Sequence, residues 1–238
     1  MTHLLSSDQL TREQLLELFE ATKKLQEAKK LPQTMVGKIL ATVFLEPSTR
    51  TRVSFETSML RLGGKVISIP NSECTSLTKG ETLEDMGRMI STFADIIAVR
   101  TPNKGDVARF ATHSSAPVIN AGDGTGEHPT QNLLDLYTVW KERNGQLDGL
   151  TLGLMGDCKN SRVLRGFAKM ASVFDISFIF IAPLEVSVDE DIQELLRKNG
   201  RSFREVHAID ACIAELDVLD VNRIRHEYFA DKERAKEI

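Results

Sequence analysis

Six consecutive residues, Pro47-Ser48-Thr49-Arg50-Thr51-Arg52, follow Glu46 and combine three hydroxyl side chains with two guanidinium groups. They stand directly after the apolar run Ile39 to Leu45, which reads as a buried strand, and lead into a helical pattern whose core side includes Phe55, Met59 and Leu62. A helix start carries unpaired N–H groups and the positive end of the peptide dipoles. Ser48, Thr49 and Thr51 add hydroxyl donors, and Arg50 can grip phosphate oxygens through two N–H groups at once. The predicted chemistry is capture of a phosphorylated anion. A capped surface helix would need one such residue, not six packed positions.

Other segments could contribute to the same chemistry. Ser76-Leu77-Thr78-Lys79-Gly80-Glu81-Thr82-Leu83 is polar and loop-like, Arg100 ends an apolar run, and Asn120-Ala121-Gly122-Asp123-Gly124 leads into His128-Pro129-Thr130-Gln131. Alone, Lys79 reads as a solvated charge and His128 as a structural histidine. Cys74, Cys158 and Cys212 stand far apart with no Cys-x-x-Cys or Cys/His ligand spacing, so no metal site is expected, and they read as reduced thiols.

The elements that must position these groups follow from the hydrophobic periodicity. An amphipathic helix with Leu15, Leu18, Phe19 and Leu25 on its apolar face precedes the strand at Ile39. Val66 to Ile69, Ile96 to Val99 and Val118 to Asn120 read as further strands, with helical patterns at Thr82 to Phe93 and Asp106 to His113. A helix with Leu133, Leu134, Tyr137 and Trp140 follows. The alternation then restarts with strands at Leu152 to Met155, Phe178 to Ile181 and Val218 to Val221. This rhythm predicts an α/β fold of two doubly wound parallel-sheet, Rossmann-like domains with a cleft between them, 1–129 and 130–238. No GxGxxG follows any of these strands, which argues against dinucleotide binding.

With 238 residues and 41% hydrophobic content the chain can bury two cores. Its 30 basic and 34 acidic residues give a net charge of -4, so no chain-wide field attracts nucleic acid or an anionic membrane. No stretch is long and apolar enough to span a bilayer and the N-terminus lacks a signal-peptide pattern, so a cytoplasmic protein is expected.

The run Pro47 to Arg52, the loop around Ser76 and Lys79, Arg100 at a strand end and His128-Pro129-Thr130-Gln131, in that order, resemble the transcarbamylases. These enzymes move a carbamoyl group from carbamoyl phosphate to an amine without metal or organic cofactor. The resemblance implies that Ser48, Thr49, Arg50 and Thr51 hold the phosphate, that Arg100 and His128 reach the carbonyl oxygen, and that Gln131 binds the carbamoyl NH2. It implies that Ser76 and Lys79 enter the site of an adjacent subunit in a homotrimer, which regulatory chains can accompany. Threonine at 130, where ornithine enzymes typically have cysteine, points to the aspartate branch and to pyrimidine biosynthesis. Met155 to Arg162 and Asp217 to Arg225 also resemble that branch, with Arg162, Arg223 and Arg225 (and Lys79) expected around the aspartate. Two arginines suit a dicarboxylate, since each can pair two N–H donors with one carboxylate.

The chain departs from the family pattern at several positions. Arg225 stands for a typical glutamine, Asn222 for a threonine, Thr101 for a histidine and Asn160-Ser161 for tyrosine-glycine. Another amino-acid acceptor is the alternative these departures raise. The chain also ends at Ile238, before the family's His-Pro-Leu-Pro loop and terminal helices, with the charged run Lys232 to Glu237 reading as a solvated helix end. The resemblance thus implies a C-terminally truncated chain, and a catalytically impaired relative or fragment that only binds or assembles is the other alternative.

Overall fold

Runs rich in isoleucine, valine and leucine with little polar interruption favour strands covered on both faces, the environment of parallel sheets. A computed structural model of the chain, which describes residues 3–223, has this architecture twice. The described residues form two compact units, one of 3–9 with 16–130 and a second of 10–15 with 131–223.

In the first unit, β1 (Ile39–Phe44), β2 (Lys65–Ile69), β3 (Ile96–Thr101) and β4 (Val118–Asp123) form a parallel sheet in the order β2-β1-β3-β4. The helices here are α1 (Arg12–Glu27, whose first turn groups with the second unit), α2 (Thr49–Arg61), α3 (Leu83–Ile90) and α4 (Asp106–Ala111). One sheet face packs Ala41, Val43, Ile97 and Val99 against Met86, Ile90, Val107 and Phe110 of α3 and α4. The alternate residues Leu40 and Ala98 meet Phe55 and Met59 of α2, the period-two division expected of a strand. The chain runs from β1 to β2 on one side and crosses to β3 on the other. The order therefore reverses between β1 and β3, where the carboxyl ends of parallel strands open a crevice. The run Pro47 to Arg52, whose last four residues open α2, leaves β1 there, and Arg100 lies on β3 beside it.

The second unit repeats the scheme with α5 (Pro129–Glu142), β5 (Thr151–Met155), α6 (Arg162–Ala171), β6 (Ser177–Ile181), α7 (Glu190–Lys198), β7 (Phe203–Val206) and β8 (Val218–Val221). Its sheet, again parallel, has the order β7-β6-β5-β8, so the reversal falls between β5 and β8. Arg162 follows β5 and Arg223 follows β8. Phe167, Phe174, Phe178 and Phe180 are nearly inaccessible to solvent, with Phe178 and Phe180 stacked on one strand. The other face packs Ile179, Ile181 and Cys212 with Met155, Leu216 and Leu219.

The expected strands all form, several of them longer than periodicity indicates. Arg100 and Thr101 extend β3, and Ala121 to Asp123 extend β4. The helix expected over Thr82 to Phe93 ends at Ile90, and the one over Asp106 to His113 ends at Ala111. The segment around Ser76 and Lys79 is a pair of short 3-10 turns, Ser72–Cys74 and Ser76–Lys79. Arg225 and the run Lys232 to Glu237 lie outside the described residues. Among the described residues no helix is long and apolar enough to cross a membrane.

Candidate active site

Ser48 is the N-cap of α2 in extended conformation, and its side chain makes no capping bond to the helix. Its hydroxyl instead donates to Thr51 Oγ1 at 3.0 Å. An N-cap that leaves its helix's first N–H groups uncapped keeps them open to an anion. The two arginines of the motif have different surroundings. Arg52 is half-buried and held beside Glu56 (3.9 Å) and Ser68 (3.5 Å), where Glu56 Oε1 also accepts from Thr42 (2.8 Å) and Ser68 (2.7 Å). Arg50 is exposed, like Thr49, and has no ion pair among the described residues. Arg52 is thus committed to the scaffold, while Arg50 stands at the helix start with its charge available.

Arg100 is the second cation of this unit. Its guanidinium lies 2.8 Å from Glu46 Oε2 and 3.3 Å from the carbonyl oxygen of Ala121, and the side chain is only 11% exposed. The end of β4, Asn120 to Asp123, builds its bed. Gly122 has φ +129, and a Cβ placed there would come within 2.8 Å of Arg100 Nη1. Asn120 Oδ1 accepts from Gly122 N at 2.8 Å. Asp123 accepts from the backbone N–H groups of Gly105 (2.9 Å) and Val107 (3.2 Å) and from the Thr101 hydroxyl (3.2 Å), joining the end of β4 to the start of α4. The nonstandard Thr101 is therefore a buried hydrogen-bonding residue of the scaffold. His128, 6% exposed, precedes Pro129, the first residue of α5, and its Nδ1 lies 3.4 Å from Thr130 Oγ1. Ser76 and Lys79 are exposed on their 3-10 turn. Neither joins Arg50 or Arg100 within the chain.

In the second unit the loop after β5 is tied down at both ends. Buried Asp157 accepts from the backbone N–H of Asn160 at 2.9 Å, and Ser161 caps α6 by accepting from Leu164 N at 3.3 Å. Arg162, 7% exposed, is the first residue of that helix. Asn222 Nδ2 donates to Ser161 Oγ at 3.0 Å, and Asn222 N donates to Met155 O at 2.8 Å. Two residues that each break the family pattern are thus partners, linking the loops that carry Arg162 and Arg223. Gly156, with φ +127, permits this approach: a Cβ there would lie 2.0 Å from Asn222 O. Cys158 is buried and its thiol is pushed up to about 12 by desolvation, so it is inert as a nucleophile.

Residues that motif reading did not single out surround Gln131. Its Nε2 donates to Asp135 Oδ1 at 2.9 Å one helical turn on. Burial pushes the Asp135 carboxyl above the ordinary carboxylate range, the hydrogen bond from Gln131 opposing it. Asp220 on β8 is pushed from 3.8 to about 6, first by burial and then by the charge of Asp135, and its Oδ2 is buried with no hydrogen-bond partner among the described residues. A carboxyl whose folded-state pKa is raised binds its proton more tightly when native. Stability is then lost as pH rises from about 4 through 6. Asp220→Asn is expected to flatten that part of the stability profile and to stabilise the protein at pH 7.5 by about 1–2 kcal/mol, after discounting for partial exposure. Denaturant midpoints at pH 4.5 and 7.5 test this, and parallel shifts at both would refute it.

Comparison with known proteins adds the family. Residues 2–141 match the model of the aspartate/ornithine carbamoyltransferase carbamoyl-P binding domain. The aspartate carbamoyltransferase catalytic subunit of Archaeoglobus fulgidus is 45% identical, the match covering 100% of this chain and 79% of that protein. The Methanocaldococcus jannaschii subunit is 42% identical over 97% of this chain and 76% of its own. The solved catalytic subunit of M. jannaschii aspartate transcarbamoylase superposes with TM-score 0.91 at 41% identity, covering 100% of this chain and 79% of that one. A Trypanosoma cruzi aspartate transcarbamoylase in complex with carbamoyl phosphate and aspartate gives 0.88 at 31% identity, covering 99% and 77%. With the open helix start after β1, Arg100 beside it on β3, and relatives of one kind aligned along the whole chain, the conclusion is that this chain belongs to the aspartate/ornithine carbamoyltransferase family.

Proposed function

We propose that the chain transfers the carbamoyl group of carbamoyl phosphate to the α-amino group of L-aspartate, giving N-carbamoyl-L-aspartate and phosphate, a step of pyrimidine biosynthesis. The observation that carries this reading is the uncapped start of α2 with Arg50 in no ion pair among the described residues, set beside the strand that holds Arg100. The relatives named aspartate carbamoyltransferase support the acceptor.

In this reading Ser48, Thr49, Arg50 and Thr51 bind the phosphate, and Gln131 receives the carbamoyl NH2. Arg162 and Arg223, with Arg225, bind the aspartate carboxylates. Holding amine and carbonyl carbon in line is the main catalytic device. Attack forms the C–N bond and a tetrahedral species whose oxyanion is stabilised by Thr51, Arg100 and His128. Collapse breaks the bond to phosphate, and the departing phosphate can take the amine proton. Every step uses side chains, backbone donors and the substrates' own atoms.

Ser76 and Lys79, exposed on their turn, suit a role in a neighbouring subunit's site, so a homotrimer with shared sites is part of the proposal, and regulatory chains can bind such an assembly. Purified protein incubated with carbamoyl phosphate and aspartate should yield the ureido product, and sedimentation of the same sample should give three chains. A folded preparation that makes no carbamoyl-aspartate overturns the activity, and the mass of one chain overturns the shared site.

A further inference from the structure

The amide of Gln131 has two ends of similar shape and opposite hydrogen-bonding sense. To receive an NH2 group it must present Oε1, and to be fixed in that sense its Nε2 must be held elsewhere. Asp135 lies four residues on along α5, on the same helix face. Its Oδ1 accepts from Gln131 Nε2 at 2.9 Å, and Oε1 has no hydrogen-bond partner among the described residues. Both side chains are half-buried, so water competes poorly for the bond.

We propose that Asp135 is a positioning residue that fixes the Gln131 amide by its Nε2, so that Oε1 faces the donor as an acceptor and the site selects an NH2-bearing acyl phosphate. The inference deepens the proposed function and rests on its assignment of Gln131 to the carbamoyl NH2. A carboxylate suits this task because, when ionised, it accepts only; it cannot hydrogen-bond Oε1 and so cannot hold the amide in the reverse sense. An asparagine at 135 could accept from Nε2 or donate to Oε1, leaving both amide orientations populated. The carboxylate is kept despite its setting: it is desolvated and stands near a second carboxyl, Asp220. A residue serving only to fill this space would be better apolar.

The test compares carbamoyl phosphate with acetyl phosphate, in which a methyl group replaces the NH2. Calorimetric affinities at one fixed pH give a preference ratio for each variant. The ratio is unaffected by the fraction of protein that is folded, because both ligands meet the same sample. Asp135→Asn is expected to lower the carbamoyl preference about tenfold, the worth of one oriented hydrogen bond. Gln131→Ala should lower it similarly, and the double variant no further, as for two residues acting through one contact. Asp135→Glu, which keeps an acceptor-only partner, should restore part of the preference. If Asp135→Asn weakens both ligands equally while Gln131→Ala abolishes the preference, Asp135 is merely structural and the proposal fails with the Gln131 assignment intact. If wild type shows no preference, or Gln131→Ala leaves it unchanged, the Gln131 assignment fails and the proposal fails with it.

Discussion

Replacing Arg50 by alanine is expected to lower kcat/KM for carbamoyl phosphate by about 10²- to 10³-fold, without a change in melting temperature. Two features of the structure give this prediction its sharpness. Arg50 is exposed and has no ion pair among the described residues, so its removal breaks no ion pair there. Yet it sits at the start of α2, where the cap leaves the helix N–H groups open, so an anion bound there would meet the dipole and the guanidinium together. Arg50→Lys keeps the charge but loses the fork, and an intermediate loss of roughly tenfold is expected. Arg52 supplies an internal control: Arg52→Ala should instead cost stability, because that side chain belongs to the cluster of Glu56, Thr42 and Ser68. Initial rates over a range of carbamoyl phosphate, with thermal melts of the same samples, decide the matter. Wild-type kinetics in both Arg50 variants would remove the anion cup from the site.

How far such a site is legible from sequence depends on whether its parts announce themselves locally. Hydrophobic runs such as Ile39 to Phe44 and Phe178 to Ile181 are covered on both faces, so composition alone marks them. β7 is different. Phe203-Arg204-Glu205-Val206 is an edge strand whose two central residues are exposed, and α7 buries only Ile192 and Leu196, so neither shows an apolar run. The residues around the charged groups are legible only in part. Ser48 to Thr51 are contiguous, and an N-cap signature is a local signal. Glu46 and Ala121, which flank Arg100, reach it only because β1, β3 and β4 are neighbours, a fact of topology. The bond between Asn222 and Ser161 spans 61 residues. Read separately, each is a departure from the family pattern; together they form one cross-link between the loops after β5 and β8. Asp135 lies four residues from Gln131 at helical spacing, so that pair was within reach of sequence reasoning once α5 was drawn, whereas its neighbour Asp220 was not.

Arg100→Ala is expected to abolish most of the turnover, by about 10²- to 10³-fold, and unlike Arg50→Ala to destabilise the fold by about 1–3 kcal/mol. The difference follows from where the charge lies. Arg100 is largely buried against Glu46 and the Ala121 carbonyl, so truncation leaves the carboxylate in place of an ion pair. Glu46 is only partly exposed, which makes the penalty larger than for a surface pair and smaller than for a fully buried one. The catalytic and structural losses can be separated by a second substitution. Glu46→Gln added to Arg100→Ala should recover most of the lost stability, since the uncompensated charge is removed, and none of the activity. Gly122→Ala approaches the same group from the opposite side. It retains the arginine, but a Cβ at 2.8 Å from Nη1 and a backbone at φ +129 must together displace the guanidinium or the end of β4. Turnover should fall while the phosphate affinity set by Arg50 persists. Denaturant unfolding and steady-state rates on this set of variants distinguish the outcomes. Recovery of activity in the Arg100→Ala/Glu46→Gln protein would show that Arg100 acts by neutralising Glu46 and not by stabilising developing charge on the carbonyl oxygen.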